Sequence, residues 1–148
     1  MKIDERVEPL IRDALHSAVK RDIDRLDTSL KAFRDDASRR TATELLMAIS
    51  AYVVLDLYSN QRPTGEQLDA LAAKVAQEES WSDLTPEEIA TYLHTVLGES
   101  TEPPLDPDAG VLMIFIVTAS LLAGRPKPEG KWWFNYLDEV EGALEAQQ

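Results

Sequence analysis

The run from Val111 to Ala123 reads Val-Leu-Met-Ile-Phe-Ile-Val-Thr-Ala-Ser-Leu-Leu-Ala, and it constrains this chain more than any other stretch. Only Thr118 and Ser120 interrupt it. A helix with no polar face has to be surrounded by protein. Crossing a bilayer takes about 20 apolar residues, and this run is shorter, with Asp108 before it and Arg125 after it. The run therefore predicts a central core helix and no membrane segment.

A core helix needs a partner, and Leu45–Tyr58 supplies the second apolar stretch. Leu45, Leu46, Ile49, Tyr52, Val53 and Leu57 cover it nearly all round, while Ala48 and Ala51 leave one side thin enough for close helix approach. The polar break Asp35–Thr41 precedes it, with Thr41 or Thr43 as the expected cap. Before that break, Ile3, Val7, Leu10, Leu15, Val19, Ile23, Leu26, Leu30 and Phe33 recur at helical spacing. They predict a long helix over 3–35, which either breaks near Lys20–Asp22 or Asp27–Ser29 or projects from the bundle.

Three amphipathic segments complete the plan. Thr64 and Gln67 form a capping box opening a helix to about Glu79, and Thr85-Pro86-Glu87-Glu88 opens another that Gly98 ends. A proline-stiffened connector follows, from Glu99 to Pro107. The last helix runs from about Lys131 to Glu145 on a stripe of Trp133, Leu137, Val140 and Leu144. The expected fold is all-α: one domain over 1–148, about six helices around the two buried apolar helices 45–58 and 111–123.

Both apolar helices end in Arg-Pro, at Arg62-Pro63 and Arg125-Pro126, and each leads into an amphipathic helix. This layout loosely resembles the TerB-type tellurite-resistance helical domains, in which apolar helices precede acidic turns. Those domains carry an Asp-Gly-type turn where this chain has Arg-Pro, and no functional residue carries over.

Charge narrows the function classes. The net charge is −12 with no cysteine. The first forty positions hold ten basic and nine acidic residues, leaving five basic and eighteen acidic, net −13, for the rest. Such a chain is a poor nucleic-acid binder, and a protein partner with a basic surface suits it better. The charged start, Met1-Lys2-Ile3-Asp4, leads straight into amphipathic helix, so we expect a cytoplasmic protein without a secretory leader.

No nucleophile–base pair, phosphate-binding glycine loop or metal-ligand spacing stands out, so the sequence calls for no catalytic residue, cofactor or metal. Asp13 and His16 lie three apart on one helix face, but a metal-binding bundle needs that pair twice. Asp56 is the one carboxylate on an apolar helix face, near a helix C-terminus, where burial and the dipole should raise its pKa. With Tyr52, Met113 and Phe115 it makes a candidate ligand site between the two apolar helices. The alternative is a structural carboxylate paired with an arginine. Trp132, Phe134 and Tyr136 widen the first turn of the last helix and make a candidate interface. The preferred expectation is a non-enzymatic acidic interaction module, of adaptor, accessory or immunity type, that self-associates as a homodimer. A small-ligand sensor, and a carboxylate enzyme or metal protein using Asp56, Asp13, His16 or Glu44, are the alternatives.

Overall fold

The N-terminal apolar pattern does not make one helix. A computed structural model describes residues 1–99, 107–125, 127 and 129–147. In it, α1 (Glu8–Val19) ends at Lys20, Arg21 takes a left-handed φ of 56°, and Asp22 caps α2 (Ile23–Leu30) by accepting from the Arg25 N–H at 3.1 Å. The chain folds back on itself here, so Leu26 is buried while Ile23 is 47% exposed. The long helix expected over 3–35 is a helical hairpin, and the break is at the first of the two expected places. This split makes seven α-helices among the described residues, one more than expected, and no strand.

α3 (Asp36–Leu57) starts earlier than its apolar pattern. Asp35 outcompetes the threonines as cap, its carboxylate accepting from the Ser38 N–H at 2.7 Å. Thr43 lies inside the helix and donates its hydroxyl to the Arg39 carbonyl at 2.9 Å. α4 (Gly65–Glu78) and α5 (Pro86–Val96) begin at the expected boxes, Thr64 with Gln67 and Thr85 with Glu88. These are local devices satisfying orphan amides of the first turn, so they are legible without tertiary knowledge. A 3₁₀ turn, Ser80–Ser82, joins the two helices.

α6 (Pro107–Gly124) is the expected central helix. Every residue from Met113 to Leu122 is buried, and the helix touches α1, α3, α4, α5 and α7. The connector 99–107 and its Asp106 fall largely outside the described residues. α3 is buried along one face through Leu45, Leu46, Ile49, Val53 and Val54, with Met47, Ala51 and Leu55 half-covered, so it is less enclosed than its composition implied. Facing pairs along α3 and α6, Ser50 with Thr118 and Asp56 with Arg125, keep the same chain order, so the two run parallel. The α4–α5 pair forms the crossover between them.

α7 (Trp133–Ala146) packs its expected stripe, Trp133, Leu137, Val140 and Leu144. Arg12 ties it to α1, donating from Nε to Glu8 and from Nη2 to both Asp138 and Glu141, each at 2.8 Å. Glu141 is buried, and its Oε2 has no hydrogen-bond partner among the described residues. Burial, then the neighbouring Glu8 carboxylate, push the Glu141 carboxyl up to about 7.

Candidate functional site

The end of the bundle where α3 and α6 terminate carries the densest set of singled-out residues. Asp56 sits one residue before the end of α3 and is half-buried. Its Oδ2 accepts from the Tyr136 hydroxyl at 2.6 Å and from Arg125 Nε at 3.1 Å. The first bond draws in α7, the second the exit from α6. Asp56 is therefore a clamp across three elements, which is the paired-carboxylate alternative.

The electrostatics run opposite to the sequence expectation for Asp56. The Tyr136 hydrogen bond outweighs desolvation and, with Arg125, holds the carboxyl below its usual range. Burial, reinforced by Asp56, raises the Tyr136 phenol, so neither group is poised to exchange a proton near neutrality. The expectation failed because position 56 lies at the helix edge, where long polar side chains from other elements reach it. Lys127, Lys131, Asn135 and Glu139 complete the walls of a cleft of about 140 Å³ over the clamp. Lys127 is partly committed, donating Nζ to the Ala123 and Arg125 carbonyls at 2.9 and 2.6 Å, where it caps the exposed C-terminus of α6. Desolvation and Arg125 lower its pKa.

Tyr52, Met113 and Phe115 do not join Asp56. Met113 and Phe115 are two positions apart, so they point to opposite sides of α6, and both are buried. Phe115 packs on Phe33 with ring centroids 5.8 Å apart, in a cleft of about 350 Å³ that includes Val111 of α6 and, from the half of α3 away from Asp56, Ala42. Tyr52 is half-buried on α3. The space between the apolar helices is closed midway by a polar node. Ser50 Oγ lies 2.9 Å from both Tyr92 Oη and Thr118 Oγ1, all three buried. Burial pushes the Tyr92 phenol up to about 12. The signal for this node was in plain view, as Ser50 and Thr118 are isolated hydroxyls in apolar helices. The third hydroxyl, of Tyr92, comes from α5, outside the two apolar helices, so neither apolar run reveals it.

The three aromatics of the first turn of α7 separate. Tyr136 belongs to the clamp. Phe134, 40% exposed, sets its ring edge-on to buried Trp133, with centroids 5.9 Å apart. Trp132 is 63% exposed at the N-cap position, where its own N–H is fixed by the Asn135 side chain at 2.9 Å. Beside this end, Leu57, Leu71, Val75, Leu121 and Gly124 line an apolar groove of about 300 Å³ between α3, α4 and α6. Sequence reasoning missed it, although Ser120 and Gly124, small residues four apart on one face of α6, leave it open opposite Ala70 of α4.

The remaining candidates sit apart. Asp13 accepts from Ser29 at 2.8 Å and pairs with Arg25, while the His16 ring lies 6.3 Å from Trp133. Glu44 is exposed on α3. His94 instead sits between carboxylates, Nδ1 at 2.7 Å from Glu99 and Nε2 at 3.4 Å from Asp69, with Glu99 also bound by Arg62. Among the described residues no three metal-ligating side chains converge, and no helix is long and apolar enough to cross a membrane. No family model, no curated protein and no solved structure matches this chain.

Proposed function

We propose that this chain is a protein-interaction module that works by contact and not by turnover, using the end of the bundle around Trp132. One observation carries the reading. The side chain of Trp132 is about two-thirds exposed, while the backbone beneath it is fixed by the Asn135 cap and the Asp56–Arg125–Tyr136 clamp. An exposed indole on a preorganised turn costs little entropy to bind and can bury a large apolar area, which is what interface anchors do. The basic partner expected from overall charge suits the acidic remainder of the surface, whereas this end carries Arg125, Lys127 and Lys131. A cysteine-free chain suits a reducing compartment, and a cytoplasmic setting is part of the proposal.

The test is a photo-crosslinking side chain placed at position 132 and, as a control, at exposed Glu44. Irradiation in the native cell should yield defined protein adducts from position 132 and none from 44. Equal or absent crosslinking at 132 would remove the reading. The apolar groove favours a second reading, a small apolar ligand, since about 300 Å³ is the lower end of small-molecule pockets. A ligand series that raises the melting temperature without engaging any protein would select that alternative.

A further inference from the structure

We infer that the occupant of this surface is a second copy of the chain, in a two-fold dimer where each Trp132 enters the other copy's groove between α3, α4 and α6. This deepens the interaction reading and rests on it. A projecting anchor and an unfilled apolar depression lie at the same end of one molecule. Leu57 and Gly124 of the groove adjoin Asp56 and Arg125 of the clamp, and the clamp residue Tyr136 is one turn along α7 from Trp132. A two-fold axis through this end therefore seats two indoles and fills two grooves at once, the self-complementarity of an isologous contact.

Charge points the same way. The chain carries −12, so two copies repel over most of their surfaces. Around the groove and the clamp, Lys74, Arg125, Lys127 and Lys131 face Asp56, Glu78 and Glu139, a net +1. Here two copies approach without the acidic repulsion that the rest of the surface imposes.

Sedimentation equilibrium of the full chain tests this, using Trp132→Ala and Ala70→Glu. Ala70 is exposed on the groove wall, and a glutamate there sits four residues before Lys74, a pairing that keeps α4 intact. Wild type should dimerise, and each variant should weaken the dimer by about tenfold or more with an unchanged circular dichroism spectrum. Mixed together, the two variants should pair at concentrations where neither pairs alone, because the mixed dimer keeps one intact indole–groove contact. A monomeric wild type overturns the inference, as does a dimer that ignores both substitutions or a mixture that fails to pair. Each of these leaves the interaction reading standing if position 132 still crosslinks to a different protein.

Discussion

Replacing Ser50 by alanine removes the atom on which two other hydroxyls depend. Ser50 Oγ is within 2.9 Å of Tyr92 and of Thr118, in a region with no exposed surface. An unsatisfied buried polar group costs about 1–3 kcal/mol, while a single net hydrogen bond is worth about 1 kcal/mol. Ser50→Ala strands two hydroxyls that can recover only part of the loss by turning to each other, so the expected cost is about 2–4 kcal/mol. Tyr92→Phe removes its own hydroxyl and leaves Ser50 bonded to Thr118, which should cost only about 1 kcal/mol. The combination Ser50→Ala, Tyr92→Phe and Thr118→Val leaves nothing unsatisfied, and should lie within about 1 kcal/mol of wild type. Urea unfolding at constant m-value gives all three numbers. The reasoning fails if Ser50→Ala is neutral, or if the triple variant costs as much as Ser50→Ala or more. Either result would mean that the hydroxyls reach water and that the node does not hold the helix centres together.

Three further outcomes concern titration. Because Tyr136 and Arg125 lower the Asp56 pKa on folding, this carboxylate stabilises the fold above its unfolded value, and the contribution is lost as pH falls through the folded pKa. Tyr136→Phe should raise the Asp56 carboxyl resonance midpoint in an NMR titration, and an unmoved midpoint would dissolve the clamp. Hydrogen bonding to Glu99, then to Asp69, raises His94, so its contribution is complete below the ordinary histidine value of 6.5 and fades as pH rises through the folded pKa. Glu99→Gln should lower the His94 midpoint; a rise would contradict the pairing. Glu141 has the opposite linkage to a typical paired carboxylate. Its pKa, raised from 4.5 to about 7, makes stability fall between those values as pH increases. Glu141→Gln should therefore raise the melting temperature at pH 8 and do much less at pH 5, and equal effects at both would place Glu141 in solvent.

The legible and illegible parts of the fold divide by distance along the chain. The Thr64 and Thr85 capping boxes, the stripe of α7 and the centrality of α6 follow from residues within a few turns of one another. The start of α3 was misplaced because Asp35 and Thr41 are both good caps, and only packing decides which amides are left free. The Asp56 site was half legible. Its residue and its arginine pairing were within reach, but the partners lie 69 and 80 positions away, and the sign of its pKa depends on them. The three α7 aromatics looked like one surface because spacing alone does not say which one another element claims. The groove was illegible for a related reason, since a depression is a property of the residues that fail to fill it.

The parallel course of α3 and α6 has a kinetic consequence. Ser50 and Thr118 are separated by 68 positions, whereas the α1–α2 and α4–α5 pairs close over short turns. Loop-closure entropy then orders assembly, with the two local hairpins first and the central pair last. Until that final step, the most apolar segment of the chain has only α7, its neighbour along the chain, to cover it. The helix that dominates the native core is therefore the one that most endangers the chain while it folds, and refolding yield should drop with protein concentration for that reason.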